Sequence, residues 1–120
     1  MKILIVDDSR VMRQIVIRTL RQAGLDGHDV VEAENGRQGL DAVAAHAPDL
    51  ILSDWNMPEM TGIEFLHALR GNGGTTPFGF VTSEGTPEMV AKAQEGGALF
   101  VITKPFTPES FREQLDPVLG

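Results

Sequence analysis

Two adjacent aspartates end the first apolar run of the chain, because residues 3–6 lead directly into Asp7 and Asp8. A third acid, Asp54, follows another apolar run at residues 49–53. Two carboxylates about 4 Å apart repel each other by roughly 4 kcal/mol at an effective dielectric constant of about 20. A divalent cation such as Mg²⁺, which prefers oxygen ligands, would offset that repulsion. One carboxylate would then remain available as a nucleophile toward a phosphoryl group, since carboxylates form acyl phosphates.

Two further polar side chains at the ends of apolar runs suit the same chemistry. Thr82 ends the run at residues 78–82, and Lys104 follows the run at residues 99–103. An ammonium group neutralises phosphoryl oxygens in the transition state, and a hydroxyl donates a hydrogen bond to one of them. These side chains therefore predict a site with two acids for a metal, one acceptor acid, one hydroxyl and one lysine.

The elements that must position these groups follow from the spacing of apolar residues. Apolar runs recur at residues 2–6, 28–33, 49–53, 78–82 and 99–103. Four are nearly continuous, as in strands covered on both faces, and the second alternates, as expected of an edge strand. Helical patterns follow at residues 9–23, 36–46, 62–70, 86–96 and 108–118. The alternation predicts an α/β fold with a parallel sheet, in which the polar side chains gather at the carboxyl ends of the strands.

The first predicted helix has an apolar stripe and an arginine-rich remainder. The stripe consists of Met12, Ile15, Val16, Thr19, Leu20 and Ala23. The rest of the helix, interpreted as its solvated face, carries Arg13, Arg18 and Arg21. An alternative to the metal site is that Asp7 or Asp8 simply caps this helix, which is predicted to begin near Ser9.

Composition narrows the class of protein. The chain has 120 residues, enough for one domain, and 42% of them are hydrophobic, enough for one core. Cysteine is absent, which excludes disulfides, zinc–thiolate sites and thiol nucleophiles. The formal charge of −7 argues against nucleic acid as a partner and favours cations or basic protein surfaces. The first apolar run is too short for a signal peptide, and no run approaches the ~20 residues of a membrane span.

Four motifs in a fixed order resemble those of response-regulator receiver domains: VDDS at 6–9, SDWNMPEMTG at 53–62, VTSE at 81–84 and TKPF at 103–106. The resemblance covers essentially the whole chain and is closest to the stand-alone chemotaxis regulators of that family. It implies a single receiver domain at residues 1–120. It also implies a doubly wound, flavodoxin-like fold in which five parallel strands have the order 2-1-3-4-5 and are accompanied by five helices.

The resemblance assigns a role to each matching position. Asp54 matches the phosphate-accepting aspartate, Lys104 the lysine of the site, and Thr82 the hydroxyl that moves toward the phosphoryl group. The Lys104–Pro105 peptide bond matches one that is often cis in the family. The implied Mg²⁺ ligands are Asp7, acting largely through water, Asp8, Asp54 and the main-chain carbonyl of Asn56.

A signalling protein, rather than an enzyme that acts on other substrates, is the function that the resemblance implies. A sensor histidine kinase or phosphotransfer domain would supply the phosphoryl group, which is later lost by hydrolysis. Because the chain ends at Gly120, output is expected through protein–protein contact on a surface at roughly residues 86–118. A cytoplasmic monomer that acts on the flagellar motor switch is expected. A phosphorelay shuttle or another stand-alone regulator is the alternative.

One position departs from the family pattern. The switch aromatic of the family lies three residues before the lysine, where this chain has Val101. Phe100 sits one residue earlier and is expected to face the opposite side of the sheet, because strand side chains alternate. We hypothesise a different signal route, through the packing of Val101 or through the 83–96 segment.

Two other classes compete with the receiver interpretation. An aspartyl-phosphate phosphatase of the haloacid-dehalogenase type also uses a strand-end aspartate and Mg²⁺. Against it, Asn56 stands where that class has a second acid, the acidic doublet precedes the nucleophile, and no cap domain is present. A docking domain that works without phosphorylation is the third possibility, because of Val101.

Overall fold

Five strands alternate with five helices in the computed structural model, which describes residues 1–25 and 29–119. The strands are β1 Lys2–Val6, β2 Asp29–Ala33, β3 Leu50–Ser53, β4 Phe78–Thr82 and β5 Phe100–Thr103. The helices are α1 Arg10–Gln22, α2 Gly36–His46, α3 Gly62–Gly71, α4 Pro87–Glu95 and α5 Pro108–Leu119. The predicted second strand began at His28, which lies outside the described residues. In the described part of the chain, no helix is long and apolar enough to cross a membrane.

The strands form one parallel sheet in the order β2-β1-β3-β4-β5, which confirms the predicted flavodoxin-like fold and the edge position of β2. The register pairs Val6 with Ser53 and Thr82 with Thr103. Asp7, Asp54 and Lys104 therefore each lie one residue beyond a paired strand end. Because all strands run in the same direction, these three residues reach the same edge of the sheet.

The two faces of the sheet bury separate apolar layers, because strand side chains alternate. One layer packs against α2, α3 and α4 and contains a chain of rings, Phe65, Phe78 and Phe80. The other packs against α1 and α5. Val101 belongs to the first layer and Phe100 to the second, so the prediction that they face opposite sides is confirmed.

The ends of α1 show how local sequence sets the helix bounds. Ser9 is the N-cap, and its hydroxyl accepts a hydrogen bond from the Met12 main-chain N–H. The alternative that Asp7 or Asp8 caps this helix is therefore wrong: a serine one residue closer to the helix already occupies that position. Gly24, with φ of 80°, follows the C-cap Ala23, in a conformation that glycine adopts without strain.

Two residues of α1 differ from the sequence interpretation. Arg13, interpreted as solvated, is only 6% exposed, whereas Ile15, assigned to the apolar stripe, is 36% exposed. The buried face of the helix instead includes Arg13, Val16 and Leu20, which follow i, i+3, i+7 spacing. Arg13 is buried because polar groups just after β1 and on β2 bind its guanidinium, a contact that the periodicity of α1 does not report.

Candidate functional site

Three carboxylates converge beyond the ends of β1 and β3. Asp7, Asp8 and Asp54 each offer an oxygen, and these oxygens all lie within 4.8 Å of one another. The Asp54 N–H donates to the Val6 carbonyl at 2.8 Å, which continues the β1–β3 hydrogen bonding by one residue and sets Asp54 beside Asp7. Asp7 is buried, Asp54 is half-buried and Asp8 is exposed. The cluster is thus open to solvent on the side of Asp8.

Lys104 reaches into this cluster from β5. Its Nζ lies 3.3 Å from Asp7 Oδ2 and 3.8 Å from Asp54 Oδ2. Its main-chain N–H donates to the Thr82 carbonyl at 2.8 Å, so the β4–β5 pairing holds the base of the side chain. The Lys104–Pro105 bond, whose isomer the sequence left open, is cis. One ammonium group therefore partly offsets the charge of three acids.

The two carboxylate oxygens of Asp54 have different environments. Oδ1 accepts a hydrogen bond from the Trp55 main-chain N–H at 2.7 Å, whereas Oδ2 is the oxygen that faces Lys104. Burial raises the pKa of Asp54 above its ordinary value; the charge of Lys104 opposes the shift, and the charge of Asp7 adds to it. Asp54 is thus a partly desolvated carboxylate with one oxygen that is not engaged by the main chain.

Asp7 is held at all four of its polar atoms. Its N–H donates to the Ala33 carbonyl at 3.1 Å, and its carbonyl accepts from Arg13 Nη1 at 2.6 Å. Its Oδ1 accepts from the Ser9 N–H at 2.9 Å and its Oδ2 from Lys104 at 3.3 Å. Sequence reasoning missed Arg13 as part of this site. Its spacing from Val16 and Leu20 was compatible with the buried side of α1 but did not decide it, because an arginine at the edge of an apolar stripe is usually solvated.

Thr82 and Asn56 occupy the positions that the motifs assign to them, at the end of β4 and two residues after Asp54. Thr82 is fully buried, and its Oγ1 accepts from the Glu84 N–H at 3.3 Å. Asn56 is exposed. The contact of Thr82 with a phosphoryl group and the metal ligation by the Asn56 carbonyl stay predictions.

A close backbone contact holds the segment after Asp54. Gly62, the first residue of α3, donates its N–H to the Trp55 carbonyl at 2.7 Å. A Cβ at Gly62 would come within 2.1 Å of the Asp54 carbonyl oxygen, so this position has room only for glycine. The Trp55 ring packs on Phe80 with a centroid distance of 4.7 Å. Together these contacts anchor Asp54 between β3 and α3.

The donor set is suitable for a hard divalent cation. All three side chains of the cluster offer carboxylate oxygens, which Mg²⁺ and Ca²⁺ prefer over the softer nitrogen and sulfur donors. The cluster could hold a metal ion, and an ion there would relieve the repulsion that Lys104 leaves uncompensated.

Comparison with known proteins decides the family. The family described as Response regulator receiver domain matches residues 3–116. The chain belongs to this family. The receiver is similar to chemotaxis protein CheY1 of Helicobacter pylori, with 40% identity over all of this chain and 98% of that protein. It is also 41% identical to a CheY homolog of Campylobacter jejuni, over all of this chain and 93% of that protein.

Solved structures agree with this assignment. The receiver matches chemotaxis protein CheY4 of Vibrio cholerae with a TM-score of 0.86 and 39% identity, covering 98% of this chain and 97% of the other. The receiver domain of NarL from Mycobacterium tuberculosis matches with a TM-score of 0.86 and 30% identity, covering 99% and 96%. The protein is therefore a CheY-like receiver of two-component signalling.

Proposed function

We propose that this receiver takes a phosphoryl group onto Asp54 from the phosphohistidine of a sensor kinase or phosphotransfer domain, and so changes its contacts with a downstream protein. The observation that carries the proposal is the convergence of three carboxylates within 4.8 Å, with Lys104 at 3.8 Å from Asp54. The names of the similar proteins support chemotaxis as the pathway. The flagellar motor switch is the proposed target, as the family resemblance implies.

In the proposed reaction, Asp54 Oδ2 attacks the phosphorus atom, because this oxygen is not held by a main-chain N–H. The new O–P bond forms as the P–N bond to the imidazole breaks, and the imidazole leaves with the electron pair. Lys104 offsets the negative charge of the phosphoryl oxygens from its position beside Asp54. The Thr82 hydroxyl then donates to one of these oxygens, and hydrolysis of the acyl phosphate later restores the carboxylate.

The residues that would hold Mg²⁺ are Asp7, Asp8 and Asp54 by their carboxylates and Asn56 by its main-chain carbonyl. Bound Mg²⁺ supplies charge neutralisation at the phosphoryl oxygens. Asp7 is rigidly held and Asp8 is exposed, so the two acids differ in how freely they adjust to an ion.

The receiver is proposed to act as one domain over residues 1–120, as a cytoplasmic monomer.

Stoichiometric labelling tests the proposal. With Mg²⁺ present, acetyl phosphate should label the protein once, and Asp54→Asn should abolish the label. Asp41→Asn is the matched control, because Asp41 is an exposed acid on α2 and its loss changes the net charge equally. A label that survives in Asp54→Asn would contradict the proposal. Repeated turnover of small phosphate esters would instead favour the phosphatase class.

Phosphotransfer profiling against candidate kinases, with Mg²⁺ and with a chelator, identifies the donor. A phosphorelay shuttle is the alternative function, and Val101 favours it because the usual output ring is missing. Transfer of the label from Asp54 to a histidine of a phosphotransfer domain, faster than its loss to water, would support the shuttle.

A further inference from the structure

We propose that Arg13 is a positioning residue of the acidic cluster: its guanidinium holds the Asp7–Asp8 peptide unit in the orientation that directs Asp8 toward the bound cation. The inference rests on the proposed function, because it concerns how this chain shapes its Mg²⁺ ligands. The guanidinium of Arg13 is a buried charge that takes no direct part in the proposed phosphoryl transfer.

The guanidinium joins three elements at the base of the site. Arg13 Nη1 donates to the Asp7 carbonyl at 2.6 Å, and Nε donates to Glu32 Oε1 at 2.9 Å. Glu32 also accepts from Gln14 at 3.3 Å, so a second residue of α1 holds the same carboxylate. Arg13 is only 6% exposed, which makes its loss more disruptive than that of a solvated arginine. The end of β1 is thereby tied to α1 and β2.

Asp8 depends on this contact more than Asp7 does. The Asp7 side chain accepts hydrogen bonds from Ser9 and Lys104. The Asp8 carboxylate is exposed, and within residues 1–25 and 29–119 no hydrogen bond or ion pair holds it. The Asp7 carbonyl and the Asp8 N–H belong to one planar peptide unit. The hydrogen bond from Arg13 to that carbonyl therefore sets the direction in which the Asp8 side chain leaves the main chain.

The charge of Arg13 and its role in positioning Asp8 predict opposite effects on Mg²⁺ affinity when Arg13 is replaced. A guanidinium near an acidic cluster repels an incoming cation, so removal of its charge alone should strengthen Mg²⁺ binding. Glu32 already pairs with that charge and limits the repulsion. If Arg13 instead positions Asp8, its removal should weaken Mg²⁺ binding. The sign of the change in affinity thus separates the two roles.

Isothermal titration with Mg²⁺ on the full chain provides the main test. Arg13→Met keeps the length of the side chain and removes both hydrogen bonds. Loss of a residue that orients a metal ligand changes metal affinity by about 10–100-fold, so we expect the dissociation constant to rise at least about tenfold. The matched control is Arg18→Met, because Arg18 is an exposed arginine of the same helix. We expect less than about a twofold change there, since exposed charges are screened by salt.

A second variant and a spectroscopic measurement keep the test decisive if Arg13→Met folds poorly. Arg13→Lys retains the charge, but its single ammonium lacks the planar fork that reaches Asp7 and Glu32 together. We expect Arg13→Lys also to weaken Mg²⁺ binding. In metal-free ¹H–¹⁵N spectra, the Asp8 amide resonance should move in both Arg13 variants and stay in place in Arg18→Met.

The outcomes are distinguishable from failure of the proposed function. If the wild-type chain does not bind Mg²⁺, the proposed function is contradicted and this inference falls with it. If the wild-type chain binds Mg²⁺ and folded Arg13 variants bind it equally well or more tightly, the inference alone is wrong. Weaker binding together with a shifted Asp8 amide supports it.

Discussion

At the scale of single residues, Asp54 sits among charges that only partly balance. Burial and the neighbouring charge of Asp7 raise its pKa, and Lys104 opposes them. A carboxyl group with a raised pKa in the folded state binds its proton more tightly there than in the unfolded chain. The free energy of unfolding therefore falls as the pH rises from the ordinary pKa of Asp54 through its folded value.

Asp54→Asn should therefore stabilise the metal-free protein at about pH 7, because it removes a partly desolvated charge while the amide oxygen still accepts from Trp55. The advantage should shrink as the pH is lowered toward the ordinary pKa of 3.8, where the wild-type carboxyl is neutral too. Thermal unfolding in a chelating buffer across this pH range measures the difference. Asp41→Asn is the control, and equal behaviour of the two variants at every pH would contradict the expectation.

Trp55 should report occupation of the site. The indole of Trp55 is 8% exposed, and its ring packs at a tilt on Phe80 with a centroid distance of 4.7 Å. Trp55 directly follows Asp54. An ion held beside Asp54 changes the field at the ring, so we expect the emission of Trp55, the single tryptophan of the chain, to change on addition of Mg²⁺. Asp8→Asn should require much more Mg²⁺ for the same change. An emission spectrum that does not respond to saturating Mg²⁺ would argue against the proposed site geometry.

At the scale of elements, the start of α3 is packed against the acceptor strand without spare room. Gly62→Ala would push a methyl group into the Asp54 carbonyl, so we expect a loss of about 1–3 kcal/mol in the free energy of unfolding, or more. Gly71→Ala, at the other end of the same helix, meets nothing within 4 Å. That control should be neutral or gain up to about 1 kcal/mol. Urea unfolding measures both, and equal effects would contradict this account of α3.

Val101, in β5, lies at the position where the family has its switch aromatic residue. Val101 is paired with Phe80, which in turn packs on Trp55 next to Asp54, so a path of contacts joins the acceptor to this strand. A valine at this position has no ring to swing when the site changes. If the native switch is weakened for that reason, Val101→Tyr should increase the gain in partner affinity on phosphorylation. Partner titrations with and without acetyl phosphate measure that gain, and an unchanged gain would count against the hypothesis.

At the scale of the whole molecule, the proposed metal site would also contribute to the stability of the fold. The acids follow two strands of the sheet and Lys104 follows a third, so an ion bound there would stabilise the sheet edge. Binding to the folded state alone contributes RT ln(1 + [Mg²⁺]/Kd), about 2.7 kcal/mol at a hundredfold excess over Kd.

Mg²⁺ should accordingly raise the melting temperature of the wild-type protein, and a chelator should lower it to the metal-free value. Asp8→Asn should lose most of this increase, because it removes a ligand without disturbing the buried core. Differential scanning calorimetry over a series of Mg²⁺ concentrations measures the dependence. If the melting temperature of the wild-type chain does not depend on Mg²⁺ concentration, the cluster does not bind the ion in the folded state.

Much of the fold could be predicted because its signals are local. Continuous apolar runs identified β1, β3, β4 and β5 to within one residue, and the spacing of apolar side chains located all five helices. The order of the strands came from the family motifs, since the runs themselves do not state which strands are neighbours. The same motifs predicted that Asp7, Asp8, Asp54 and Lys104 belong to one site.

Sequence alone thus determined which residue types end each strand and that they could support phosphoryl transfer to a carboxylate, because side-chain chemistry and strand direction are properties of the chain. Only the tertiary structure decided that Arg13 is buried and bonded to the Asp7 carbonyl and to Glu32. That outcome depends on how α1 rotates against β1 and β2. Such a rotation is set by packing between segments about 20 residues apart, which the periodicity within one helix does not encode.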